Sequence, residues 1–428
     1  MGRWTYTPPR MPNGILIDGK KLFELLRADN PQSYIWDVDL LIQEIEETFG
    51  AEVTEVPEYV DGAFHKAVWC VLSNGEEIIA RLSKADINRP HEKSLPVPMQ
   101  ISAAEYEIAL YEALYPEAEL RLAALLYNRI PELHEGIDDD SKDIIGRRLC
   151  VFEAPEGRKN MWWELGPEDK VCILKQAAEI RAALFNFNPQ PKFIATWLPK
   201  RLASAHTPIS LPVAITPTRN FCIALFRAKI EATIRNMDDI IGWPQDNNTV
   251  GPFAAAAKQS LLRLVPYILP SDNRGNIFYR FVIDHGDYGI WNMTATTDEY
   301  EKPYITSVYE WDSSCIVPAI FSDPKFVTNI SFVTDEYANP SIARSSKFKS
   351  KYIKPARRAK FMAWSRQYFN TLYDAAPAYE TIIREGSDAR YLWFALQSRS
   401  LHNIEPEIYF GELGIWAKKK LREFGVSV

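Results

Sequence analysis

Residues 51–84 place the tightest constraint on what this chain can fold into. Two turn signals, Asp61-Gly62 and Ser73-Asn74-Gly75, divide the stretch into AEVTEVPEYV, KAVWCVL and EEIIARL. Asp-Gly and Asn-Gly supply the positive-φ positions of tight hairpins, so these runs predict three consecutive antiparallel strands. A helix precedes them, since Val38, Leu41, Ile42, Ile45 and Phe49 recur at helical spacing and Gly50 can end it. After a proline-rich loop, INRPHEKSLPVPMQ, the run SAAEYEIALYEALYPEAELRLAALL predicts a second helix. Ser102 and Glu105, three apart at its start, form a capping-box pattern.

Further along, HEGIDDDSKD reads as a solvated acidic turn, and RRLCVFEAPEG as an apolar strand that ends in a crossing. A long helix, EDKVCILKQAAEIRAALF, begins after Gly166-Pro167, where proline suits the first helical position. Helices dominate from there to residue 270, with loops at 207–217 and 243–252. FYRFVID and YITSVYEW are short strands, and the final stretch reads as mostly helical with many exposed aromatics. This order predicts an α+β chain: residues 1–37 irregular, a small antiparallel-sheet lobe over 38–153, and a larger, mainly helical lobe over 154–428.

Composition narrows the function. The chain has 428 residues, 46% of them hydrophobic and 25% charged, which is ordinary globular usage. No apolar run approaches the ~20 residues of a membrane helix, and MGRWTYTPPRMPNG does not resemble a secretory signal, so a cytoplasmic location is expected. The five cysteines are scattered and form no C-x-x-C pair, which argues against a disulfide framework or a structural zinc site. A net charge of −7 disfavours general nucleic-acid binding. Lysines and arginines crowd 344–366, read as a solvated face, with a wall for an anionic ligand as the alternative.

The chemistry concentrates in RFVIDHGDYGIWNMTAT, residues 280–296. Asp287 and Asn292 stand five apart on a loop that follows a strand. Phosphoryl transfer asks for such a pair: a carboxylate to orient the acceptor hydroxyl and an amide oxygen for a metal ion. A second acid is expected on the next hairpin, where Tyr309-Glu310-Trp311-Asp312 stands, and a strand-borne cation at Arg81. Glu105 could pair with Arg81. His65 reads as an exposed hairpin residue, with contact to a ligand as the alternative. Trp162, Trp163, Trp291 and Trp311 could line an aromatic pocket, although Trp311, on a strand, reads as core.

HGD-x4-N, the following hairpin and its acidic-Trp-acidic step resemble the aminoglycoside phosphotransferase family, fungal members above all. FEAPEG is similar to that family's interlobe hinge, ELGPEDKVCILKQAAEIRAAL to its next helix, and GAFHKAVWCVLSNGEEIIARLSK to its phosphate loop and third strand. The likeness covers about 38–325. It implies a bilobal protein-kinase-like fold and ATP- and Mg2+-dependent transfer to a hydroxyl of a small-molecule substrate, without nucleic-acid or membrane partners. Residue by residue it implies Asp287 as catalytic carboxylate on the loop 284–292, and Asn292 and Glu310 as metal ligands, Glu310 on the hairpin 305–313. It further implies Arg81 on the phosphates with Glu105 as its partner, Gly62 in the phosphate loop, and Phe152, Glu153 and Ala154 beside adenine. Glu310 stands where the family has aspartate, Arg81 where it often has lysine, and the phosphate loop has one glycine. These departures keep a second reading open: a kinase-like binding protein, or a nucleotide cleft reused for another reaction on a secondary metabolite.

Overall fold

Apolar periodicity decides the first elements. In the computed structural model, Val38, Leu41, Ile42 and Ile45 form one buried stripe of a helix that stops at Gly50, whose φ is +62°. Described residues are 38–62, 64–88, 96–134, 143–159, 161–200, 211–241, 248–271, 277–343, 354–397 and 405–427. In chain order come α1 (Val38–Phe49), β1 (Val53–Asp61), β2 (His65–Leu72), β3 (Glu77–Ser83), α2 (Val97–Leu114), β4 (Leu125–Arg129), β5 (Leu149–Glu153) and β6 (Arg158–Lys159). Helices α3 (Pro167–Asn186), α4 (Pro191–Trp197), α5 (Arg219–Thr233) and α6 (Pro252–Ile268) follow. Short strands β7 (Phe281–Asp284), β8 (Met293–Thr297), β9 (Pro303–Val308) and β10 (Cys315–Pro318) come next, then β11 (Phe326–Val327), β12 (Ser331–Thr334) and β13 (Pro340–Ala343). Helices α7 (Pro355–Ala375), α8 (Pro377–Glu385), α9 (Ser387–Gln397) and α10 (Pro406–Glu423) complete the chain.

Two compact units result. The first comprises residues up to Lys159 together with Thr294–Thr297 and Ile305–Asp312. Its antiparallel sheet has the order β1-β2-β3-β5-β4, and the three predicted strands form its first half. Val53, Val56, Val68, Ile78, Ala80, Leu82 and Val151 pack beneath the apolar stripe of α1 as one core. Strand β6 pairs with β8 in the register Arg158↔Ala295 and Lys159↔Thr294.

The second predicted helix differs in its limits. It begins at Val97, after Pro96, so Ser102 lies inside it and the capping box does not form. A proline preset for the first turn outranks an internal serine as a start signal. The helix ends at Leu114, Arg121 takes a left-handed φ of 53°, and Leu125–Arg129 becomes strand β4 instead of continuing the helix. The acidic turn lies mostly outside the described residues.

The second unit holds most of the helices, with β7 and β10 paired antiparallel so that Asp284 faces Cys315. Its aromatics are largely interior, contrary to the exposure expected: Trp364, Tyr368, Phe369, Tyr379, Trp393 and Phe410 are all buried. They recur on the inward stripes of α7 to α10, and two of them stack on rings from the 319–327 segment, Trp393 on Phe321 at 4.3 Å and Tyr368 on Phe326 at 5.2 Å between ring centroids. The small β11-β12-β13 sheet was not legible either, because its strands run only two to four residues. Among the described residues no helix is long and apolar enough to cross a membrane.

Burial also imposes a cost. Lys229 on α5 is 1% exposed, with its ammonium 5.9 Å from the Trp393 ring centroid, and desolvation brings its pKa down to about 7. The unfolded chain then binds the extra proton between about pH 7 and 10.5, so stability rises with pH across that window. Lys229→Met is expected to raise unfolding free energy by roughly 2 kcal/mol or more at pH 6, each pKa unit being worth about 1.4. The gain over wild type should vanish by about pH 10.5 in denaturant titrations at a series of pH values.

Candidate active site

The loop after β7 is held by what surrounds Asp284. That carboxylate is buried, and Arg181 of α3 donates to it from Nη2. The same guanidinium donates to the Asp323 carbonyl (2.7 Å) and to the Tyr379 hydroxyl (2.7 Å). The Asp323 amide closes the ring by donating to Asp284 Oδ2 at 2.8 Å. Burial raises the Asp284 pKa, and the Arg181 charge opposes it. Arg181 escaped the sequence reading, although an arginine between Ile180 and Ala182, both buried, was the available signal.

Beyond this anchor the chain turns at Gly286, with a φ of +84°. A Cβ there would lie 2.1 Å from the Ser313 carbonyl oxygen, so only glycine fits. His285 is buried, and its Nδ1 accepts the Asp287 amide at 3.4 Å, which leaves Nε2 protonated. The turn delivers Asp287 to the exposed tip. Buried Asn292 points back at it, donating from Nδ2 to the Asp287 carbonyl (2.8 Å) and carboxylate Oδ2 (3.2 Å). With its nitrogen so committed, the amide oxygen is the atom Asn292 can offer a cation. Asp287 and Asn292 are thus brought together on one loop.

In the first unit, Arg81 of β3 is 7% exposed and is held from two sides. Nη1 lies 3.4 Å from Glu107 Oε1, and Nη2 lies 3.2 Å from Glu310 Oε2. Glu107 therefore takes the place expected for Glu105. Two residues along a helix rotate a side chain by about 200°, and it is Glu107 that shares the inward stripe with Ala104, Tyr111 and Leu114. The other Glu107 oxygen meets Arg148 Nη1, so a single carboxylate serves two arginines. Burial works against the Arg81 charge, but Glu310 and Glu107 outweigh it and strengthen its hold on the proton.

His65 is another correction. It is 7% exposed, with Nδ1 3.3 Å from Arg81 Nη2 and Nε2 against Arg148. Burial first, and then the two guanidinium charges, lower its pKa and keep the ring neutral. His65, Glu310 and Asp312 bring one ligand atom each within 4.8 Å of one another. The two carboxylates are the hard oxygens that magnesium takes. Arg81 competes for the Glu310 oxygen, and burial raises the Glu310 pKa while Arg81 lowers it. Glu310 also has a left-handed φ of 66°, which glutamate tolerates less readily than aspartate.

The remaining expected residues sit in the same unit. The Gly62 amide donates to the His65 carbonyl at 2.9 Å, closing the β1–β2 hairpin. Phe152 is buried in β5, and the amides of Glu153 and Ala154 donate to the carbonyls of Ala124 (2.9 Å) and Glu77 (3.0 Å). Only carbonyl oxygens are left at those two positions to meet a base. A small cavity lies just beyond, lined by Val60, Ala67, Ile79, Gly157, Lys159 and Thr294 among others.

Trp162 and Trp311 are core residues at 2% and 0% exposure, whereas Trp163 is 57% exposed. Of the basic segment, 344–353 lies outside the described residues, and Lys354, Arg357, Arg358 and Lys360 are exposed on the first turns of α7.

The two glutamates separate cleanly by experiment. Glu107→Gln should cost about 3–5 kcal/mol in denaturant titration, because it strands buried guanidinium charge. Glu105→Gln should stay within about 0.5 kcal/mol of wild type.

No family model and no curated protein matches the sequence. Among solved structures, the chain is similar to ADP-bound aminoglycoside phosphotransferase APH(2'')-Ib, at 8% identity and a TM-score of 0.45, over 91% of this chain and 100% of that one. It is similar to the macrolide 2'-phosphotransferase MphH of Brachybacterium faecium at 11% identity and a TM-score of 0.40, over 88% and 98% of the two chains. For amicoumacin kinase hAmiN in complex with AMP-PNP and Ca2+ the values are 9% and 0.36, over 92% and 96%.

Proposed function

We propose that the chain is an ATP- and magnesium-dependent phosphotransferase that acts on a hydroxyl of a small molecule. The observation that carries this reading is the pair on the β7–β8 loop: an exposed Asp287 carboxylate with the Asn292 amide nitrogen donated to it at 3.2 Å. Asp287 receives the proton of the acceptor hydroxyl as its oxygen bonds to the γ-phosphorus and the bond to the departing ADP breaks. The donation from Asn292 fixes the carboxylate direction. In the second unit the Asn292 amide oxygen would be offered to magnesium, and in the first unit the Glu310 and Asp312 carboxylates are hard oxygens of the kind the ion takes. When bound, the ion supplies neutralisation of phosphate charge. Gly286 and the Arg181–Asp284 pair hold the loop so that little reorganisation is left for the reaction.

Asp287→Asn should lower product formation by about 10²–10⁴-fold in a mass-spectrometric assay with ATP and candidate hydroxyl acceptors. Its thermal stabilisation by ATP should equal that of wild type. Full activity in the variant would remove Asp287 from the role.

A second reading, nucleotide binding without transfer, is favoured by the 3.2 Å contact between Arg81 and Glu310, which engages an oxygen that magnesium would need. Glu310→Asp withdraws the carboxylate by about one bond length from Arg81 and suits the left-handed backbone better. The variant should bind ATP more tightly in magnesium than without it, by about tenfold or more than wild type does in calorimetric titration. Equal magnesium dependence in both proteins would mean that glutamate already serves as a full ligand.

A further inference from the structure

Phosphates need a cation that can reach them, and Arg81 is poorly placed to be that cation. Its two terminal nitrogens face Glu107, Glu310 and His65, and its Nε is buried without an acceptor. To turn toward a ligand it would have to abandon two ion pairs and leave Glu107 with Arg148 alone. Lys66, on the neighbouring strand, is also committed: it is 4% exposed and donates to the Tyr59 hydroxyl at 2.8 Å.

Lys159 differs from both. It lies on β6, opposite Thr294 of β8, two residues along the chain from Asn292. It lines the cavity formed with Glu58, Val60, Ala67, Trp69 and Ile79 on the sheet and with Pro155, Gly157, Arg158 and Thr294 at its edge, where Arg158 is already engaged with other groups. Among the described residues no carboxylate closes an ion pair on it, and its ammonium rests 5.4 Å from the centroid of the Tyr309 ring. Burial lowers its proton affinity, Glu58 and Glu310 raise it, and Arg81 lowers it, so all three charged groups act on it.

We propose that Lys159, and not Arg81, is the cation that meets the phosphate chain of a nucleoside triphosphate in this cavity. Arg81 is then a positioning residue that braces Glu107 and Glu310. The proposal rests on the nucleotide-dependent reading above and adds the residue that carries phosphate recognition. A lysine suits that part chemically. Its compact ammonium reaches a phosphate oxygen as a point charge on a flexible stem, whereas the guanidinium fork of Arg81 is already spent on two carboxylates.

The test uses the full chain and compares ATP with adenosine, which lacks the phosphates, by calorimetry and thermal shift. Lys159→Met is expected to weaken ATP at least tenfold, to leave adenosine unchanged, and to melt no lower than wild type without ligand. Arg81→Met is expected to melt well below wild type, and Lys159→Arg to recover part of the ATP affinity. The proposal falls if Lys159→Met binds ATP as wild type does, or if it loses ATP and adenosine alike. Failure of wild type to bind ATP overturns this inference and the phosphotransferase reading together. ATP affinity that depends on Lys159, without phosphorylated product from any acceptor, supports the inference and overturns only that reading.

Discussion

The loop that bears Asp287 depends on one buried guanidinium. Arg181 reaches from the middle of a helix to the Asp284 carboxylate, the Asp323 carbonyl and the Tyr379 hydroxyl, so a single side chain ties four segments of the second unit together. An ion pair taken out of water is not strongly stabilising in itself, since desolvation consumes most of the attraction. What it provides is definition. Its Nε and Nη2 have fixed directions, and the strand end, the 323 turn and the Tyr379 hydroxyl lie where those two nitrogens point, while Nη1 is buried without an acceptor. Gly286 then exits this frame where no side chain fits, and Asp287 follows at the surface.

A comparable economy governs the first unit. Glu107 shares its two oxygens between Arg81 and Arg148, and His65 bridges the same arginines from the other side. The cluster holds two fixed positive charges against Glu107 and Glu310, with His65 neutral. Removing Glu107 takes a carboxylate from both arginines and leaves Arg81 with Glu310. Charge balance thus gives Glu310 a structural part beside any metal-binding part, and a longer acid than aspartate is what reaches Arg81 while its backbone stays left-handed.

Much of this was legible in the sequence where local signals act alone. The Asn-Gly turn placed β2 and β3, Asp61-Gly62 marked the end of β1 although Asp61 itself pairs within the strand opposite Lys66, the periodicity of Val38 to Ile45 placed the first helix, and Gly166-Pro167 marked the start of the long one. The HGD-x4-N spacing brought Asp287 and Asn292 together because five residues of loop allow little else. What failed were contacts between distant segments. Glu105 and Glu107 both precede the same apolar run, and only the packed helix shows which faces inward. His65 looked exposed because a hairpin start usually is, until two arginines from β3 and the start of β5 closed over it. Arg148, Arg181 and the burial of the late aromatics belong to the same class, set by tertiary packing that no local pattern encodes.

The first unit is also discontinuous along the chain, and this bears on how it is made. Its sheet and α1 are complete by Glu153, yet β6 gains its partner β8 only when residues 294–297 arrive, and Glu310 reaches Arg81 later still. During synthesis the early segment therefore emerges with a buried arginine short of one counter-ion and with the β6 edge unpaired. Open edges and non-local closure slow folding and invite association with other chains. Both gaps stay open until residues 294–312 have left the ribosome, and chaperone binding to the nascent chain is expected to fall once that segment has emerged.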